Sequence, residues 1–312
     1  MNSNNRVFDT KDIKLLKMVN KKTGDYFFVD SETFEIYDGD GEIYCVIDKG
    51  DKQRLKIESP KRWSVQRKEN PDFGDFTWFR YANERNDLDG LDDSDVARLM
   101  VLATKTDYYK TIVFGKEDGR YIYARWDTIG DILNICDSES WNFRKATDGR
   151  FIKEDKDGNL ILVAKCFKRG RLSGSWVASA HERNGSLTRM YAPGVMALYR
   201  ATSGHQKSLL CYMYKLLPYV SVEHNILCWN PKETDINNVN PLSVEDVCDL
   251  VGYSKTNARR FKKILTGPEF SIRKRTEHAF VYIGYGKERF CLNPHIFFAG
   301  SKESASALER LF

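Results

Sequence analysis

The spacing of apolar residues divides the 312-residue chain into segments of different period. Residues 254–267, "SKTNARRFKKILTG", gather Ala258, Phe261, Ile264 and Leu265 on one side of a helix turning about 100° per residue. Lys255, Arg259, Lys262 and Lys263 fall on the opposite side, with Arg260 at its margin. Ser254 reads as the cap, Gly267 as the exit and Pro268 as the stop. Upstream, "PLSVEDVCDLVGY" predicts another amphipathic helix, capped by Ser243 and ended by Gly252. Its apolar face is Val244, Val247, Leu250 and Val251. Downstream, "EFSIRKRTEHAFVYIGYGKERFCLNP" alternates apolar and polar residues around the turn-forming "GYGKE", which predicts a β-hairpin. Ahead of these lie a longer helix, "HQKSLLCYMYKLLPYV", and a short strand, "NILCW".

Helix, strand, helix, helix, hairpin is the order of a winged helix, whose close helix pair is a helix-turn-helix. The same order occurs earlier. "DDSDVARLMVLATKTDYY" predicts a helix with Val96, Leu99, Met100 and Ala103 inward, and "TIVF" a strand. "WDTIGDILNI" and "SESWNFRKATDG" predict two helices, and "FIKEDKDGNLILVAKCFKRG" a hairpin turning at Asp157-Gly158. A shift of 118 residues superposes the two helix pairs without a gap. Phe143 then falls on Phe261, Arg144 on Lys262, Lys145 on Lys263 and Gly149 on Gly267. Both copies close alike, in "CFKRG" and "IFFAG". An internal repeat of this kind is easier to read than either copy alone.

The expected fold class is therefore α+β: two tandem winged-helix domains preceded by a small β-rich amino-terminal module. Residues 1–85 form the module, 86–170 the first winged helix, 171–190 a Gly- and Ser-containing linker and 191–312 the second winged helix. In the module, residues 25–50 and 53–66 alternate and turn like short antiparallel strands, and "FGDFTWFRYA" adds a dense aromatic stretch. Those aromatics read as core, or as a face that docks a protein.

Charge sharpens the picture. The whole chain carries only +5, yet residues 253–275 hold eight basic residues and one acidic one, so the remainder is slightly acidic. A patch so concentrated points to a polyanion. A helix fits the major groove, where Arg259 and Arg260 can fork onto guanine and Asn257 or Asn142 can pair with adenine. Lys255, Lys262 and Lys263 suit phosphates, for which a point charge is enough. Arg273, Lys274 and Arg275 fall on the wing, where a hairpin meets the DNA backbone. In the first copy Arg144 and Lys145 repeat the phosphate role, extended by Lys168 and Arg169.

Signs of catalysis are missing from the sequence. It has no GxxxxGK[ST] loop and no His-apolar-His pair for a metal-dependent nickase, so Tyr108 and Tyr109 read as framework residues. His205, Cys211, His224 and Cys228 lack a zinc spacing. "DGDG" and "DLDGLDD" lack the later ligands of a calcium loop and read as turns. No cofactor, no metal and no enzymatic activity are expected. Seven cysteines scattered without a framework suit a reducing cytoplasm. No run reaches 18 apolar residues, and the polar start lacks a signal sequence, so no membrane association is expected.

The second copy, with its cationic helix, wing and closing "CLNPHIFFAG", resembles the winged-helix region of RepL-type plasmid replication proteins. The tandem arrangement is similar to that of double winged-helix plasmid initiators, and comparable chains occur in phages. The likeness covers roughly 205–300 directly and 92–170 by repetition, while the first 85 residues do not match. It implies sequence-specific binding of double-stranded DNA, by a replication initiator or a transcriptional regulator. Replication or transcription proteins would meet the amino-terminal module, and a homodimer stays open. The alternative is an interaction protein that binds RNA polymerase or a host factor and uses the winged helices as scaffold.

Overall fold

The computed structural model describes residues 15–19, 26–30, 36–37, 73–81, 88–170, 172, 186–203, 208–284 and 288–312. The chain divides into two units, Met1–Glu69 and Asn70–Phe312. In the first, β1 (Leu15–Val19), β2 (Tyr26–Asp30) and β3 (Ile36–Tyr37) form one antiparallel sheet in that order. The strands expected over 53–66 lie outside the described residues.

The second unit is mixed α+β. It runs β4 (Phe76–Tyr81), α1 (Asp93–Thr104), β5 (Val113–Glu117), β6 (Arg120–Tyr123), α2 (Ile129–Leu133), α3 (Asp137–Thr147), β7 (Ile152–Glu154), β8 (Leu160–Leu162) and β9 (Phe167–Lys168). It continues through β10 (Ser186–Tyr191), α4 (Ala192–Ala201), α5 (Leu209–Leu216), α6 (Val244–Val251) and α7 (Ala258–Thr266). Then come β11 (Glu269–Ile272), β12 (Arg275–His278), β13 (Phe280–Ile283), β14 (Arg289–Leu292), β15 (Phe297–Phe298) and α8 (Lys302–Leu308).

Local chemistry sets the ends of these elements. The Ser243 and Asp246 side chains exchange a capping box at the start of α6, and Gly252 ends it at φ +78°. Between β7 and β8, Asp155 accepts from the backbone N–H groups of Asp157 (2.9 Å) and Asn159 (2.8 Å), which fixes the turn at Asp157-Gly158. The aliphatic residues of α1 are buried on every side, since Ala97, Val101 and Leu102 are as enclosed as the inward residues read from its period. The helix sits between α4 and α5 under the sheet, so both flanks need apolar cover.

One four-stranded antiparallel sheet, ordered β15-β10-β4-β9, joins the two repeats. Its central pair is self-complementary: Trp78 faces Arg189, Thr77 faces Met190 and Phe79 faces Thr188. An antiparallel pair has a local two-fold axis normal to the sheet, here through Trp78 and Arg189. That axis relates Thr77 to Thr188, and both threonines are buried on one face beside Phe79 and Met190. The closing strands β9 and β15 add to opposite edges, each beside the strand that opens its own repeat. One apolar core then runs without interruption from Phe79 to Phe297.

Several expectations shift accordingly. Strand Phe76–Tyr81, assigned from sequence to the amino-terminal module, is a central strand of the second unit, so the division falls at residue 69 rather than 85. The last residues of the expected linker, 186–190, are sheet, while 173–185 lie outside the described residues. The "TIVF" strand is one arm of a hairpin, and "NILCW" makes only isolated bridges at Ile226, Leu227 and Cys228. The single hairpin expected around "GYGKE" is two, β11–β12 and β13–β14.

Candidate nucleic-acid interface

Helix α7 is held by its apolar side. Phe261 and Leu265 are fully buried, with the rings of Tyr253 and Tyr212 packed 4.6 and 5.4 Å from Phe261. A 3-10 turn, Lys255–Asn257, leads into it, and the Ser254 hydroxyl bonds Thr256 instead of capping the helix. A side chain at Gly267 would stand 2.6 Å from the Lys263 carbonyl, so glycine is what lets the chain leave there. Asn257, Arg259, Arg260 and Lys263 are exposed on the other side. Among the described residues, Arg259, Arg260 and Lys263 form no ion pair. Lys255 does, 2.6 Å from Asp249 on α6, which raises its pKa. Lys262 lies over the Tyr282 ring, 3.1 Å from its centre.

After Pro268 the chain enters the β11–β12 hairpin. Arg273 and Lys274 form its two-residue turn at φ +50° and +66°. Both central residues are left-handed, as a tight hairpin requires, but that geometry favours Asn-Gly over two long cations. The left-handed region costs about 1–2 kcal/mol per residue with a β-carbon. Strain of this kind concentrates at functional positions. Replacing the turn tests the trade directly. Arg273→Asn with Lys274→Gly raises folding stability by about 1–2 kcal/mol in urea denaturation. Where the turn meets a duplex backbone, the same variant is expected to flatten the salt dependence of binding by about two units of slope, at about 0.9 per lost phosphate contact.

The first repeat offers a weaker face. On α3, Trp141, Asn142 and Lys145 are exposed. Arg144 lies along the surface instead, over the Trp126 ring (5.1 Å) and near the exposed carboxylates of Glu154 (3.4 Å) and Asp148 (3.7 Å). Buried Arg98 on α1 anchors the start of α3 through Glu139 (2.6 Å) while holding Asp95 (2.7 Å). Lys168 and Arg169 belong to a different surface. Lys168 stands opposite Trp78 at the sheet edge, and Arg169 binds Asp75 (2.6 Å) and the Thr104 carbonyl (3.2 Å). The second repeat thus gathers its cations on one helix and the turn that follows it, whereas those of the first are divided between two places.

Cys211 and Cys228 are core thiols. Burial pushes Cys228 up to about 11, and Cys211 rises further, its thiol donating to Asp93 at 3.3 Å. His224 bonds the Thr234 carbonyl, and His205 lies outside the described residues. Among the described residues no group of three or more His, Cys, Asp or Glu could hold a metal ion, and no helix is long and apolar enough to cross a membrane. Tyr108 and Tyr109 are not framework residues: they are 73% and 86% exposed. Asp107 builds the loop that presents them by accepting from the backbone N–H groups of Tyr109 (2.8 Å) and Thr111 (2.9 Å). No protein-family model, curated protein or solved structure matches the chain.

Proposed function

We propose that residues 70–312 form two winged-helix units that bind double-stranded DNA at a specific sequence, the second unit being the principal reader. One observation carries this reading. Arg259, Arg260 and Lys263 stand exposed and unpaired on a helix whose opposite side is locked into the core by Phe261 and Leu265. A rigid cationic helix followed at once by a cationic turn is what groove and backbone contact require. The placement of β9 and β15 on opposite edges of the central sheet, each beside the strand that opens its own repeat, supports a site of two halves, one for each repeat. A replication initiator and a transcriptional regulator of a plasmid or phage would share this chemistry, and the amino-terminal module would supply protein contacts in either. The chain acts by binding and carries out no reaction of its own.

Selection of bound fragments from random duplex, followed by hydroxyl-radical footprinting on the enriched site, tests the reading. The expected footprint covers two half-sites, and Asn142→Ala with Lys145→Ala weakens only the half contacted by the first unit. Protection limited to about one helical turn and unchanged in that variant would leave a single reading head. Several copies of the site in tandem would favour an origin, and one promoter-like site a regulator. An absence of enrichment would overturn the DNA reading in favour of an interaction protein.

A further inference from the structure

A second cationic surface lies away from α7. Lys105, Thr106, Val113, Lys116, Tyr121 and Arg169 line an open groove of about 240 Å³ beside the β5–β6 hairpin, with Phe114 at its wall. Tyr121 is 47% exposed and carries Lys116 over its ring at 4.7 Å. Tyr108 packs against Gly170, next to the groove residue Arg169, where even a β-carbon would come within 2.8 Å of its ring, and Tyr109 follows it on the same exposed loop. Asp75 also lines the groove, where Arg169 holds it at 2.6 Å, and Asp107 accepts from the loop backbone.

We infer that this groove binds single-stranded nucleic acid, with bases stacked on Tyr108, Tyr109 and Tyr121 and phosphates held by Lys105 and Lys116. Stacking rings set among cations are the pattern of single-strand sites, because every base has a face to offer. In a duplex those faces are covered, so exposed tyrosines would have nothing to stack on. Burial and the Arg200 guanidinium lower the pKa of Lys105, which lines the groove, and an anion bound there offsets both effects.

The site is separate from the duplex-reading helix, so its test uses the whole chain and reads the two activities apart. Fluorescence anisotropy follows fluorescein-labelled oligo(dT) and oligo(rU) of about 20 nucleotides, longer than the roughly 4–16 nucleotides covered by many single-strand sites. The parent binds at least one of them. Tyr108→Ala with Tyr109→Ala reduces that binding roughly 30-fold or more, from the loss of two stacked bases, while the duplex footprint stays unchanged. Tyr108→Trp with Tyr109→Trp binds like the parent or tighter. Tyr108→Leu with Tyr109→Leu loses binding, since an aliphatic side chain offers no ring. Preference for one oligonucleotide identifies DNA or RNA as the ligand. The inference fails if the parent binds neither, or if the leucine variant binds like the parent, as it would on an apolar docking face. Because these tyrosines are exposed, urea midpoints of all variants should match the parent. A missing duplex footprint in the parent would count against the winged-helix reading and leave this one standing.

Discussion

Arg259→Ala combined with Arg260→Ala lowers affinity for the selected duplex about 10³-fold and lowers affinity for a scrambled duplex far less. Each bidentate contact to guanine is worth about 1–3 kcal/mol of discrimination, so two amount to about 4 kcal/mol, or about three decades. The scrambled duplex loses only two charges. Folding should be untouched, because both residues are exposed and Phe261 and Leu265 hold the helix from the other side. The lysine pair, Arg259→Lys with Arg260→Lys, separates charge from shape. Lysine keeps the charge but not the planar fork, so this variant binds scrambled duplex like the parent yet loses most of the preference for the selected site. Anisotropy titrations of both variants on both duplexes decide the matter. Equal losses on the two duplexes in the alanine variant would reduce the arginines to phosphate contacts.

Much of the second repeat was legible because its signals are local. Helix α6 carries its cap, apolar face and stop within ten residues; the structure places cap and stop where they read, and its buried face is Val247, Cys248 and Val251, with Val244 and Leu250 partly buried. The apolar side of α7 was equally plain, with Phe261 and Leu265 buried as the period required. Shifting α3 by 118 residues lands it on 255–265, the 3-10 turn and α7 together. Long-range pairing was not legible. Nothing near "FTWFRY" announces that it pairs with residues 186–191, so by sequence it falls in the amino-terminal module. The Arg273-Lys274 turn was hidden because its residues oppose the preference of the turn they occupy, while "GYGKE" advertised a turn more strongly. Arg169 read as a DNA contact because its partner, Asp75, is 94 residues away. Tyr108 and Tyr109 read as framework because exposure here depends on the Asp107 side chain and a left-handed Lys110, which no periodicity reveals.

Salt provides the last and broadest test, and the structure fixes how many charges should count. Of the eight cations between residues 253 and 275, Lys255 is paired with Asp249 and Lys262 is laid over Tyr282. The other six, Arg259, Arg260, Lys263, Arg273, Lys274 and Arg275, are exposed. With Arg259 and Arg260 on bases, the other four meet phosphates, and at about −0.9 per phosphate neutralised they give a slope near −3.6 for log K against log salt. Raising salt from about 50 to 200 mM then weakens duplex binding about 10²-fold. Two single variants make the count specific to these residues. Lys263→Gln flattens the slope by about one unit, because it removes a cation that forms no ion pair among the described residues. Lys255→Gln leaves the slope nearly unchanged, because Asp249 already offsets that charge and few counterions are released when DNA approaches it. Anisotropy at several salt concentrations measures all three proteins. A parent slope shallower than about −2 would mean that the patch is a solvated face. Equal flattening by the two variants would mean that the Lys255–Asp249 pair opens to DNA, and that five charges rather than four meet the backbone.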